Sequence, residues 1–98
     1  MTTLEDIRQA IRPIAKERQL EKVIAFGSYA RGEATPASDI DLVIDTGGLQ
    51  QSFEVFCTIG KLLEALPIRA DIFEISEIKR PSATYFSMMN EGVVIYER

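Results

Sequence analysis

The chain has 98 residues, of which 46% are hydrophobic and 27% are charged, and its formal net charge is −4. This length fits one domain, and the composition excludes a chain that is largely disordered. No run of about 20 apolar residues predicts a membrane span, and the early acidic residues argue against a signal or transit peptide, so a cytoplasmic location is expected.

Hydrophobic periodicity predicts eight elements along the chain. Thr3 and Ser52 are the expected N-caps of the two longest helices, and Pro13 is expected to kink or split the first of them. The predicted elements, in chain order, are a helix over 3–18, a strand over 23–26, a turn with one helical turn over 27–32, a strand over 39–45, a helix over 52–65, a strand over 68–75, a short helix from 81 towards 90 and a strand over 93–96.

The predicted order of elements is α-β-(short α)-β-α-β-α-β. Alternation of this kind places helices against a mixed β-sheet, so the fold class is α/β (α+β). No internal repeat, linker or low-complexity segment interrupts the pattern. We therefore expect residues 1–98 to form a single small domain in which helices flank the sheet.

Two aspartates begin the second predicted strand. Asp39 and Asp41 are two residues apart, so their side chains point to the same face, while Ile40 and Leu42 point to the other. Carboxylates held so close repel each other, and a divalent cation would relieve that repulsion. Because the chain has no histidine and only one cysteine, a bound metal would need oxygen ligands, which suits Mg²⁺ or Mn²⁺. The alternative is that both carboxylates are solvated at the start of the strand.

A glycine-serine turn precedes this pair. Gly27 allows the backbone to approach a phosphate closely, Ser28 supplies a hydroxyl donor, and Arg31 could add positive charge. The alternative is an ordinary strand-to-helix connection with a surface arginine. A phosphate-binding turn followed by paired carboxylates is what metal-assisted transfer from a nucleoside triphosphate requires.

Segments 27–32 (GSYARG) and 38–42 (SDIDL) resemble the signature of the DNA polymerase β-like nucleotidyltransferase superfamily, and more closely that of the minimal nucleotidyltransferase (MNT) family. The length and the order of elements fit this family over nearly the whole chain. The resemblance implies that Gly27 and Ser28 bind the triphosphate of ATP. It also implies that Asp39 and Asp41 bind two Mg²⁺ ions. From its position one turn after Ser28, Arg31 is expected to assist in binding the triphosphate.

The resemblance also asks for a third carboxylate on a later strand, acting on the catalytic metal and on the attacking hydroxyl. Asp71 is the candidate, because it lies in mid-strand among apolar residues, where an unpaired carboxylate is costly. Glu74 lies three residues further on and should face the other side. The alternative for Asp71 is a charge on an edge strand that is paired with Arg69.

Resemblance to the MNT family further implies a partner, since its members commonly pair with a helical HEPN protein, often a ribonuclease toxin. The first hypothesis is a Mg²⁺-dependent enzyme that transfers AMP to a hydroxyl, expected to be that of a tyrosine, on such a toxin and thereby acts as its antitoxin. The second is a binding module that neutralises its partner by complex formation. A third is a small-molecule transferase of the aminoglycoside type that lacks its acceptor domain.

The acidic net charge argues against direct binding of a nucleic acid and favours binding of a cation or of a partner with a basic surface.

Overall fold

The computed structural model describes residues 2–98, and the predicted order of elements is confirmed. Within these residues, no helix combines the length and the apolar character needed to cross a membrane. A one-turn 3₁₀ helix, Ile75–Glu77, follows the third strand and was not predicted. The helices and strands are α1 (Leu4–Glu17), β1 (Lys22–Phe26), α2 (Ser28–Arg31), β2 (Ile40–Asp45), α3 (Ser52–Ala65), β3 (Ala70–Glu74), α4 (Ala83–Glu91) and β4 (Val93–Glu97).

Helix α1 shows both a confirmed and a wrong prediction. Thr3 is its N-cap: the Thr3 hydroxyl accepts a hydrogen bond from the Asp6 N–H, and the Asp6 carboxylate accepts one from the Thr3 N–H. The helix is not split at Pro13 but continues from Leu4 to Glu17, so only the kink stays a prediction. Pro13 and Gln9, whose carbonyl loses its helical donor, are both exposed, so water can take the place of the missing hydrogen bond.

Helix α3 begins one residue away from its predicted cap. Gln51, and not Ser52, is the N-cap, and its side chain forms a reciprocal capping box with Glu54. Ser52 is instead the first helical residue. The predicted extent of the helix, 52–65, is confirmed, and Pro67 follows its end.

The four strands form one mixed sheet in the order β3-β2-β1-β4. Strand β1 is antiparallel to both β2 and β4, whereas β2 and β3 are parallel. Helix α3 makes the crossover that two parallel neighbours need. As a consequence, β2 and β3 both begin at the same end of the sheet.

Strand β2 is buried on both faces, and its alternation fixes where its aspartates point. Ile40, Leu42 and Ile44 are fully buried against the side that α1 and α3 cover. Val43 packs on the opposite face, in a second cluster with Phe26, Ile78 and Met88. A shift of one residue in the pairing register of β2 would exchange its two faces and bury the aspartates in the core beneath α1 and α3. The hydrophobic pattern therefore fixes the direction in which Asp39 and Asp41 point.

A buried carboxylate joins the far ends of β2 and β3. One oxygen of Glu74 accepts hydrogen bonds from the N–H and hydroxyl of Thr46, and the other accepts bonds from the N–H and hydroxyl of Ser76. Burial raises the pKa of Glu74, but these hydrogen bonds outweigh burial and hold its pKa below the ordinary value. Glu74 faces away from Asp71, as predicted, and is a structural residue.

We expect Glu74→Gln to lower the free energy of unfolding by about 2–3 kcal/mol, because an amide NH₂ would meet donors where the carboxylate accepts. A lowered pKa means that this stabilisation is present above about pH 4.5 and is lost as the pH falls through the folded-state pKa. The difference between wild type and variant should therefore shrink on acidification. Urea unfolding at pH 7 and pH 3.5 measures it. Glu77→Gln is the control, since exposed Glu77 accepts only from the Glu74 N–H at this turn.

Candidate active site

Gly27 connects β1 to α2 in a conformation that other residues avoid. Its φ and ψ are 77° and −151°, a region that is accessible almost only to glycine. A Cβ atom built on Gly27 would lie 2.4 Å from Oδ2 of Asp41, far inside van der Waals contact. The turn is therefore in direct contact with Asp41 of β2. Glycine is required at position 27 both for its backbone conformation and because Asp41 leaves no space for a Cβ atom.

Asp41 and Asp71 lie side by side on the sheet. They are register partners on the parallel strands β2 and β3, so both side chains project to the same face. Asp39 precedes Asp41 by two residues and lies at the same end of the sheet. The structure therefore brings Gly27, Asp41 and Asp71 together, as the sequence analysis expects; the chemical roles assigned to them stay predictions.

The electrostatics of Asp41 distinguish it from an ordinary surface carboxylate. Burial raises its pKa above the ordinary value, and the negative charges of Asp71 and Asp39 raise it further. Arg31 acts in the opposite direction but does not cancel these effects. A cation bound between the carboxylates would favour their ionised forms, so this arrangement suits a divalent ion.

Asp39 is engaged by a neighbouring arginine. The Arg69 guanidinium donates from Nε to Oδ1 of Asp39 over 3.2 Å. Arg69 therefore pairs with Asp39 and not with Asp71, contrary to the alternative considered for Asp71. Among residues 2–98, no group of three or more carboxylate or thiol side chains is close enough to form a ready-made ion site. Ion binding by all three aspartates would thus require Asp39 to turn away from Arg69, which is an exposed and easily displaced partner.

Arg31 is placed near the site but is paired with other residues. Its guanidinium forms ion pairs with Glu33 of the following loop and with Glu91 of α4, the latter over 2.8 Å. These hydrogen bonds raise the pKa of Arg31. A phosphate contact by Arg31 would have to replace them, so its assistance to Ser28 stays a prediction. Nothing in the sequence spacing signals the link to Glu91, which is 60 residues away.

A groove adjoins the acidic end of the sheet. It has a volume of about 630 Å³, and its walls include Asp39, Asp71, Arg69 and the end of α3 at Leu63. A second groove of about 550 Å³ lies at the opposite ends of β2 and β3, beside Glu74. Asp39 and Asp71 line the first groove, whereas Asp41 and Gly27 do not. The second groove is separated from these aspartates by the length of the strands.

Comparison with known proteins gives evidence that is independent of the site geometry. The family model described as the nucleotidyltransferase domain matches residues 7–95. The chain is 33% identical over 84 residues to protein adenylyltransferase MntA of Thermococcus cleftensis, an alignment that covers 81% of this chain and 84% of that protein.

Two solved structures share the fold. A candidate minimal nucleotidyltransferase superimposes with a TM-score of 0.73 at 24% identity, over 94% of this chain and 95% of that one. The complex of tri-AMPylated Shewanella oneidensis HEPN toxin with its MNT antitoxin gives a TM-score of 0.64 at 17% identity, over 98% of this chain and 74% of that one. At these identities the likeness shows the fold alone, and it confirms the predicted mixed sheet with flanking helices.

Proposed function

Because the chain belongs to the nucleotidyltransferase domain family, we propose that it is a Mg²⁺-dependent protein adenylyltransferase that moves AMP from ATP to a tyrosine hydroxyl of a HEPN-type toxin and so acts as an antitoxin. The observation that carries the proposal is the pairing of Asp41 with Asp71 on one face of the sheet, in contact with the Gly27 turn. A pair of carboxylates that suits a cation therefore lies next to a turn that suits a polyphosphate.

The donor set fits Mg²⁺. All candidate ligands are carboxylate oxygens, which this hard cation prefers, and they repel one another in its absence. Asp39, Asp41 and Asp71 would hold the ions. When bound, Mg²⁺ would polarise the α-phosphate and neutralise charge on the leaving pyrophosphate.

The residues of the chain would then act as follows. Gly27 and Ser28 hold the triphosphate and orient its α-phosphorus towards the groove. Asp71 faces that groove and accepts the proton of the acceptor hydroxyl. The hydroxyl oxygen forms a bond to the α-phosphorus while the bond to the β-phosphate oxygen breaks, so AMP is joined to the acceptor and pyrophosphate is released.

Support for the partner comes from two sources. A relative is named as a protein adenylyltransferase, and a structural neighbour is an MNT antitoxin in complex with a HEPN toxin that carries AMP. The net charge of −4 suits a partner with a basic surface. We accordingly propose a protein acceptor and ATP as the donor.

One observation favours a second candidate, a module that neutralises its partner by binding alone. Asp39 is paired with Arg69, and the carboxylates do not form a ready-made ion site within residues 2–98. If Asp39 stayed paired with Arg69 and never bound Mg²⁺, the chain would keep its fold and its binding surface but would not catalyse transfer.

We expect the co-expressed HEPN-type partner to gain the mass of AMP on tyrosine when it is incubated with the chain, ATP and Mg²⁺, as measured by intact-protein and peptide mass spectrometry. Excess EDTA should abolish the modification because the carboxylates then repel the triphosphate without compensation. The double variant Asp39→Asn/Asp41→Asn should also be inactive.

Equal modification by that double variant would contradict the enzymatic proposal. Neutralisation of the toxin by the variant without any modification would identify the binding module. Activity on a small alcohol in the absence of any protein acceptor would identify the small-molecule transferase.

A further inference from the structure

Helix α3 presents an exposed apolar stripe, of which only the end at Leu63 borders the groove that the proposed function uses. Phe53 and Phe56 are 67% and 77% exposed, and Leu63 near the end of the helix and Leu49 just before it are also exposed. The spacing of these positions follows the four-three pattern of a coiled-coil seam, so the three helical residues lie along one side of α3. Exposed stripes of this size mark interaction surfaces.

Gly60 occupies the remaining position of the stripe, between Phe56 and Leu63. A glycine inside a helix costs about 0.5–1 kcal/mol relative to alanine. A Cβ atom added at Gly60 would meet no atom within 4 Å, so packing within the chain does not require glycine there. The gap in the stripe therefore suits the close approach of a bulky side chain from outside.

We propose that the stripe binds a second copy of the chain, with the two α3 helices antiparallel about a two-fold axis. Phe56 and Gly60 are equally distant from Thr58 along the helix, and so are Phe53 and Leu63. A single two-fold axis at the level of Thr58 therefore places each Phe56 opposite the gap at Gly60 of the other copy. The same axis pairs each Phe53 with Leu63 of the other copy, so the surface is complementary to itself, as a two-fold interface requires.

One charged residue beside the stripe agrees with this arrangement. The axis brings Glu64 to the level of residue 52 in the second copy, where the amino end of the other α3 helix favours a negative charge. Lys61 lies away from the stripe and is paired with Glu17 of its own chain over 2.8 Å, so it does not contribute to the interface.

The exposed apolar area of the stripe sets the expected affinity of the dimer. From the exposed fractions of the two phenylalanines and two leucines, each copy would bury roughly 400–500 Å² of apolar surface, which is at the lower end for a specific interface. The net charge of −4 on each copy opposes association. We therefore expect a reversible dimer with a dissociation constant on the order of 10 µM.

Analytical ultracentrifugation of the full chain between about 1 µM and about 500 µM tests the proposal across that range. The mass should rise from 11.0 kDa to twice this value. Phe56→Ser should raise the dissociation constant at least about 10-fold by removing the inserted side chain. Phe86→Ser is the matched control, since Phe86 is 54% exposed on α4 and should leave dimerisation unchanged. A wild-type chain that stays monomeric throughout would overturn the proposal, even if Phe56→Ser impaired binding to another protein.

A pair of exchanged residues tests the register. Phe56→Gly should place gap against gap and Gly60→Phe should place ring against ring, so each single variant should be monomeric at concentrations where wild type dimerises. The double variant F56G/G60F restores ring against gap and should recover the dimer. Failure of that recovery, with circular dichroism showing a folded chain, would overturn the antiparallel arrangement. Because Asp41→Asn should dimerise normally, loss of catalysis and loss of dimerisation are separable.

Discussion

Asp41→Asn should reduce adenylyl transfer by at least about 10²–10³-fold while leaving the fold intact or more stable. The carboxylate is the candidate metal ligand closest to the Gly27 turn, so its loss removes charge stabilisation at the reacting phosphate. The same carboxylate has a pKa raised by burial and by Asp71 and Asp39, which means that its ionised form is disfavoured in the folded chain. A neutral amide of the same shape removes this penalty at neutral pH. Initial rates and thermal unfolding of the purified variant measure the two effects.

Asp45→Asn supplies the matched control. Asp45 lies on the same strand and faces the same side as Asp41, but at the opposite end, where its carboxylate accepts a hydrogen bond from the Gly47 N–H. An asparagine oxygen can accept that bond as well, so both rate and stability should stay close to wild type. Equal losses of rate in the two variants would show that general negative charge, and not position beside Gly27, matters.

Gly27→Ala is expected to impair both stability and activity. The positive φ and extended ψ of Gly27 cost other residues about 1–3 kcal/mol, and the new Cβ must also displace the Asp41 carboxylate. We expect a loss of about 2–4 kcal/mol in the free energy of unfolding. Transfer should fall by about 10²-fold or more even under conditions where the variant is folded, because a misplaced ligand disturbs the positioning of the reacting groups.

Gly48→Ala separates backbone strain from displacement of the carboxylate. Gly48 also has a positive φ, of 74°, but a Cβ added there meets no atom within 4 Å. The substitution should cost about 1–2 kcal/mol of stability and leave transfer unchanged when the chain is folded. If Gly27→Ala retained activity like Gly48→Ala, contact between the turn and Asp41 would be irrelevant to catalysis.

Much of the site follows from local patterns in the sequence. The alternation of Asp39 and Asp41 with Ile40 and Leu42 is enough to predict one acidic and one apolar face, because strand geometry has a period of two. The hydrophobic run 68–75 predicts the strand that carries Asp71. The pairing of Asp71 with Asp41, however, depends on a parallel register that only the assembled sheet defines.

The wrong and missing predictions have tertiary or solvent causes. Pro13 is accommodated within α1 because the affected backbone is exposed, which periodicity does not reveal. The partner of Arg69 is Asp39, which immediately precedes the neighbouring strand β2, although Asp71 is nearer in sequence. The Glu74 carboxylate accepts hydrogen bonds from Ser76 and also from Thr46, which is 28 residues away, so its burial gives no local signal.

A crystal structure of the chain with Mn²⁺ and a non-hydrolysable ATP analogue tests the proposed site most directly, because the anomalous signal of manganese locates the ions. We expect manganese peaks coordinated by Asp41 and Asp71, with Asp39 turned away from Arg69 and the triphosphate lying against Gly27 and Ser28. Manganese and nucleotide bound in the groove beside Glu74, with Asp39 still paired to Arg69, would contradict it.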